Sequence, residues 1–327
     1  MVFLFRDNSL VVLVLLLLLS LGVHAHFFVI PPMLSTGDDG MLSTLLRRFL
    51  SHTPAWALIW IYHGLILLQA IQLNLLLNNL KMLHTNAFTT AMAYILFTGF
   101  FPEWSVLSPA LIANSLVMLV FTMLTKLYNH GSPKSLLFNT GLLISLAVMA
   151  YHPTAIMVLV VLFALAVVRP FRPAEWVVLL MGIILPYYFL GSALFLTNQL
   201  EAINDYLPDI GFFLEVVKGA DEWYWGAVAL FCLIVLNGFY HWQWQNARMV
   251  IQIRKSWSVL IVMLILLLPV PLIFNGADIH AAILLLVPAA AFASCGFLYP
   301  KRLLIPNLLF WLAVVIIVHN NWVLVKN

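Results

Sequence analysis

Apolar residues recur along this chain in long runs, not in the alternation of a strand or the one-sided stripe of a soluble helix. Leu10 to Val23 is almost wholly apolar, and comparable runs follow as far as the last residues. About 20 such residues cross about 30 Å of hydrocarbon as a helix. Within a bilayer only helices and closed barrels satisfy their own backbone groups. Barrel strands alternate lipid-facing and lumen-facing residues, and these runs do not. The pattern predicts an all-α, polytopic transmembrane helical bundle of about eleven spans: 9–30, 56–77, 86–101, 106–125, 136–151, 153–168, 174–197, 224–240, 257–274, 279–299 and 303–319. The third and sixth of these are short, at 16 residues each.

One polar interruption stands apart. Thr36-Gly37-Asp38-Asp39-Gly40 puts two adjacent carboxylates in a turn, and Met41 to Leu50 follows at once. On a helical wheel Met41, Leu42, Leu45, Leu46 and Phe49 share a broad apolar face, leaving Ser43, Thr44, Arg47 and Arg48 to water or headgroups. That spacing predicts an amphipathic helix lying in the membrane interface.

Composition agrees with the pattern and excludes a soluble fold. Of 327 residues, 64% are hydrophobic and 8% charged, and the mean hydropathy is +1.05. We read residues 1–327 as one integral-membrane domain. Arg6, the apolar run and Val23-His24-Ala25 also fit a signal peptide. The apolar run continues through Ile30, so an uncleaved first span is expected.

Charge sets the orientation. With the N-terminus inside, 11 of the 15 basic residues fall on the cytoplasmic side and 10 of the 12 acidic residues outside. Cytoplasmic loops gather Lys and Arg, so the expected topology is N-in and C-out. The outer loops are then 31–55 and a long acidic loop, 197–223. Cytoplasmic connections are too short for a nucleotide-binding domain, no glycine-rich phosphate loop occurs, and nothing points to nucleic acid. Cys232 and Cys295 lie in apolar runs and read as buried small hydrophobes.

The candidate chemistry is sparse. Asp38 and Asp39 could ligate a divalent cation or act as a general base, or cap the helix that follows as a solvated turn. Arg47 or Arg48 could hold a phosphate, whose oxygens match the guanidinium fork. Glu103, in the next outer loop, could join them. His24 and His26, two apart, would point to opposite sides of a helix and make a poor metal pair. No metal-binding histidine spacing occurs, and no protein metal centre is expected. Asn74, Asn78, Asn79, Asn114 and Ser115 read as interhelical hydrogen-bond partners. No charged residue falls mid-span, which argues against a coupled transporter.

Two resemblances add to this. Phe101-Pro102-Glu103, Leu107 to Asn114, Arg169-Pro170-Phe171 with Glu175-Trp176, Gly182 and Pro186-Tyr187 resemble an uncharacterised family of polytopic inner-membrane proteins of gliding and anaerobic Gram-negative bacteria. That resemblance implies a bacterial inner-membrane, cell-envelope setting and no reaction. The layout, with an acidic first outer loop followed by an interfacial helix, is similar to the GT-C type of integral-membrane glycosyltransferases. It implies a polyprenyl-phosphate-linked sugar as donor, Asp38 or Asp39 as catalytic base or metal ligand, and Glu103 as a partner from the second loop. Three readings result. The first is a non-catalytic GT-C-like subunit or scaffold that docks envelope proteins on the 197–223 loop; the second is a GT-C-like glycosyltransferase; the third is a lipid or small-molecule transporter.

Overall fold

The structure is a computed structural model that describes residues 1–35, 40–129, 131, 133–211, 222–274 and 279–326. It is helical, with isolated bridges and no extended strand among those residues. Thirteen α-helices follow in order: α1 Val11–Val23, α2 Met41–Leu50, α3 Ala55–Asn79, α4 Thr89–Thr98, α5 Pro109–Lys126, α6 Pro133–Ala150, α7 Ile156–Val168, α8 Pro173–Leu196, α9 Glu222–Asn246, α10 Ile251–Leu267, α11 Val270–Ile273, α12 Leu286–Leu298 and α13 Leu304–Lys326. Among the described residues, eight helical segments are long and apolar enough to cross a membrane. They correspond to eight of the eleven expected spans. The other three, at the first, third and sixth positions, are the shorter apolar helices Val11–Val23, Thr89–Thr98 and His152–Val168.

Helix starts follow local chemistry. Ser108 caps α5, its hydroxyl accepting from the Leu111 amide at 3.2 Å, with Pro109 in the first turn. Pro173 opens α8, and Glu175 lies in that first turn, where the helix dipole favours an anion. The break after α1 has no such signal. The expected span 9–30 stops being α-helical at Val23 and continues as a 3-10 turn over Ala25–Phe28.

The core is a pair of central helices. Every residue of α4 is buried, and so is every residue of α12 from Leu286 to Phe297. At 10 residues α4 spans about 15 Å, half of a bilayer core, so protein rather than lipid surrounds it. Small residues let the backbones close up. A side-chain carbon added at Gly238 of α9 would lie 2.0 Å from the Phe292 carbonyl oxygen of α12. Gly141 of α6 and Gly182 of α8 meet in the same way. At the periphery α8 turns Val177, Met181, Ile184 and Phe189 outward. So much exposed hydrocarbon suits a lipid surround.

Contacts among loops and helix ends gather in two groups. In one, basic side chains tie loops and termini together. Arg6 donates to the Phe297 and Pro300 carbonyls at 3.0 and 2.9 Å, closing the C-terminus of α12. Lys255 donates to Val168 O at 2.7 Å. Arg169 donates to Leu127 O at 2.9 Å and pairs with Glu175, Nε to Oε2, at 3.0 Å. At the opposite end a parallel bridge joins Leu34 to Leu107, with Leu107 N donating to Met33 O at 2.9 Å and Ser35 N to Leu107 O at 3.2 Å. A second bridge joins Ile210 to Phe274.

Candidate functional site

The densest polar cluster lies inside this second end, at a place the sequence does not announce. Where α1 gives way to the 3-10 turn, the chain swings His24 and His26 inward together. Their rings lie 6.2 Å apart, and His24 and His26 are 0% and 5% exposed. The expectation that they point to opposite sides therefore fails, because it assumed an α-helix that has already ended. His63 of α3 joins them, its ring 5.7 Å from that of His24. It sits eight residues into α3, about 12 Å below the helix start.

Hydrogen counting shows how the cluster is poised. His24 Nδ1 lies 3.1 Å from the Ser20 carbonyl, which only accepts, so Nδ1 carries a hydrogen. His24 Nε2 faces the Tyr62 hydroxyl at 3.2 Å, and that hydroxyl also lies 2.8 Å from the Trp104 carbonyl. One phenolic hydrogen serves two acceptors. Adding a proton at Nε2 would satisfy all three groups at once. Ser20 Oγ pairs with His63 Nδ1 at 2.8 Å, while His26 Nδ1 has no partner among the described residues.

The cluster is anchored from several helices. Ser105 Oγ donates to Asn321 Oδ1 of α13 at 3.3 Å, and Asn321 Nδ2 donates to Gly99 O at 2.8 Å. A second polar knot lies deeper. Gln69 Nε2 donates to Leu111 O and Ser115 Oγ at 2.6 and 2.8 Å, and Tyr94 OH donates to Gln69 Oε1 at 2.8 Å. Asn114 Nδ2 reaches Ile283 O at 2.7 Å. Towards the basic end Asn74 Oδ1 accepts from Ala91 N at 3.3 Å, and Asn78 Nδ2 donates to Ala87 O at 3.1 Å. Asn74, Asn114 and Ser115 are thus the interhelical partners expected of them, whereas Asn78 bonds to the connection between α3 and α4. Tyr62, His63, Gln69 and Tyr94 were not anticipated. Their signal was polar residues recurring on one buried face of a helix otherwise apolar all round.

The sequence-derived candidates are distributed as follows. Asp38 and Asp39 lie outside the described residues, and the divalent-cation expectation rests on them. Among the described residues no group of three or more His, Cys, Asp or Glu could hold a metal ion. The flanks are placed: Ser35 on Leu107, and Gly40 against Ala150 with φ 129°, where an added side-chain carbon would lie 2.7 Å from the Ala150 carbonyl. Glu103 sits in the 3-10 turn Pro102–Ser105, near enough to Tyr224 of α9 to interact electrostatically. Its Oε2 is buried with no hydrogen-bond partner among the described residues.

Arg47 and Arg48 are exposed on α2, which packs against α5 and α6. Glu103 forms no ion pair with either. α2 is amphipathic as expected, but its apolar residues divide. Leu46 packs inward, Ser43 with it, whereas Met41, Leu45 and Phe49 form an exposed stripe. The expectation that Ser43 faces water is thereby corrected. Cys295 is buried as expected, but Cys232 is exposed on α9. A surface groove along α8, lined by Tyr187, Gly191 and Leu196, holds none of the candidate residues.

No protein-family model matches this chain, and no curated protein resembles it at a significant level.

Proposed function

We propose that this chain is a multi-pass protein of a bacterial inner membrane, its basic end cytoplasmic, serving as a non-catalytic subunit of a cell-envelope assembly. The observation that carries the reading is how the outer-end polar groups are used. Ser105, Asn321, Tyr62 and Trp104 bond to one another and to helix carbonyls, as a rigid platform requires. On that platform the 31–35 segment is clamped to Leu107, and α2 lies across α5 and α6. The partner docks on the acidic 197–223 loop, whose residues Leu200–Tyr206 form a 3-10 turn with none buried. The test is purification from native membranes after mild crosslinking. A stoichiometric partner, lost when Glu201 and Asp205 become Lys, supports the reading; a solitary monomer defeats it.

One observation favours a second reading, the GT-C-like glycosyltransferase acting on a polyprenyl-phosphate-linked sugar. Among the described residues Glu103 keeps a buried carboxylate oxygen unpartnered, and the exposed Arg47 and Arg48 of α2 suit a lipid phosphate. Asp38 or Asp39 would serve as base or cation ligand. Changing both to Asn leaves partner capture intact under the platform reading and abolishes sugar transfer under this one.

A further inference from the structure

A membrane-spanning helix keeps its polar side chains inside the protein, because hydrocarbon offers them no hydrogen bond. Most amides of this bundle obey. Gln69 and Asn114 are buried and bonded across helices, and Asn74 is buried against α4. Asn79 and Gln243 are exposed, but they stand in the last turns of α3 and α9. Asn139 of α6 departs from the rule. Among the described residues it is the one amide side chain exposed on a spanning helix away from the helix ends, and it has no hydrogen-bond partner there.

Asn139 is the seventh residue of α6 and stands about 9 Å along it. Lys134, exposed in the first turn, lies about 7.5 Å nearer the helix start, and its long stem lets it reach headgroups. An asparagine side chain is too short to follow it there. α6 is long and apolar enough to cross the membrane. The Asn139 amide, with two donors and an acceptor, is then held against acyl chains with nothing to bond.

Its neighbours on the helix form a pattern. Ser135, Asn139, Leu142 and Leu146 follow at intervals of four, three and four residues, which puts them in one stripe on one face. Ser135 is exposed, Leu142 partly so, and Leu146 is 54% exposed. The opposite face carries the buried Leu137, Gly141, Ile144 and Val148, and α6 packs on α5 and α8. The stripe therefore looks away from the bundle. The start of α2 meets α6 at Ala150 and leaves Leu146 open. Small Ser135, one turn before Asn139, lets a second backbone come close, and the two leucines supply knobs for it. α8 exposes more hydrocarbon, but its Ser192 hydroxyl returns to the Tyr188 carbonyl at 2.8 Å and needs no partner.

Whatever covers this stripe must offer a donor and an acceptor at one depth. A second copy of the chain does so without further design. Copies inserted in one orientation pair about an axis along the membrane normal, so α6 meets its own copy in parallel and each residue meets its like. An amide both donates and accepts, so two Asn139 side chains satisfy each other. A lipid chain satisfies neither group. We infer that α6 is the contact of a homodimer, with Asn139 of one protomer paired to Asn139 of its partner within the bilayer. The inference rests on α6 crossing a membrane and not on the platform reading. Self-association without a captured partner, and capture by a chain that stays monomeric, are separate outcomes.

The experiment uses the full chain with Cys232→Ser and Ser51→Cys, labelled at position 51 with donor or acceptor dye and reconstituted together into phosphatidylcholine vesicles. Energy transfer above that of randomly placed chains is expected, falling as lipid dilutes the protein. Asn139→Leu, on an exposed face where leucine suits lipid, should raise the protein-to-lipid ratio for half-maximal transfer about three- to thirtyfold, the effect of one interhelical amide hydrogen bond. In native membranes Leu142→Cys and Leu146→Cys, each with Cys232→Ser, should give a band of twice the chain mass on oxidation. Leu312→Cys, exposed on α13, should not. Transfer at the random level overturns the inference, and so does an Asn139→Leu chain that associates as tightly as its parent. Absence of the double-mass band at positions 142 and 146 overturns it as well.

Discussion

Tyr62 and His24 face each other at 3.2 Å across a shared hydrogen that the Trp104 carbonyl also claims at 2.8 Å. The contact joins α1, α3 and the turn before α5, three elements far apart in sequence. Removing the hydroxyl with Tyr62→Phe leaves a carbonyl and an imidazole nitrogen buried without it. The expected loss is about 1–3 kcal/mol, read as a lower unfolding temperature in detergent. Tyr188→Phe, on the exposed face of α8, should change nothing.

The contact between α9 and α12 gives a sharper test. At Gly238 an added side-chain carbon meets the Phe292 carbonyl oxygen at 2.0 Å, a backbone atom that cannot move aside. Gly238→Ala must therefore push the two helices apart, costing at least about 1–3 kcal/mol. At Gly64 of α3 nothing lies within 4 Å. Gly64→Ala should be neutral or stabilising by about 0.5–1 kcal/mol, since alanine loses less backbone entropy in a helix. Folded yield of the two variants, measured by size-exclusion fluorescence, should differ strongly.

Arg169 and Glu175 are 13% and 4% exposed, so removing either strands a charge in a largely buried place. Arg172 stands 3.8 Å from Glu175, too far to replace the lost two-pronged contact. Arg169→Leu or Glu175→Leu alone should cost about 3–5 kcal/mol, and the double variant less than the sum. A thermal-unfolding double-mutant cycle checks this. A strictly additive cycle would mean the pair does not hold the α7–α8 turn against α5.

Ser51, beside α2, and Gly131, before α6, are both exposed, and the proposed orientation puts them on opposite sides of the membrane. In a background with Cys232→Ser, Ser51→Cys should react with an impermeant maleimide in intact cells. Gly131→Cys should react only after the cells are opened. Labelling of both from one side would overturn the proposed orientation.

How much of this was legible in the sequence depends on which force set each feature. Hydrophobic runs mark helices wherever solvation alone decides, so α3, α5, α6 and α8 begin and end within a few residues of expectation. The end of α1 at Val23 is different. It depends on His24 and Phe27 packing against Tyr62, a contact across 38 residues to which no local spacing points. The same is true of Glu103, whose surroundings come from α9 and the segment Ile279–Leu285. Ser43 was misjudged because a helical wheel separates polar from apolar residues but does not say which neighbour each face meets.

That last point makes α2 a test of how the molecule meets the bilayer. Its residues fall into three sectors: Ser43 and Leu46 against the bundle, Met41, Leu45 and Phe49 exposed and apolar, and Thr44, Arg47 and Arg48 exposed and polar. A helix lying at the foot of a membrane protein meets protein, lipid and water on three sides, and this division matches that position. Phe49, 71% exposed, should then sit among acyl chains, with Arg48 reaching up to the headgroups. A spin label on Phe49→Cys, with Cys232→Ser, should be relaxed by oxygen far more than by a polar nickel chelate. A label on Thr44→Cys should show the reverse order. If the label at position 49 proves as accessible to the chelate as that at 44, α2 stands clear of the membrane and its arginines cannot address a lipid phosphate.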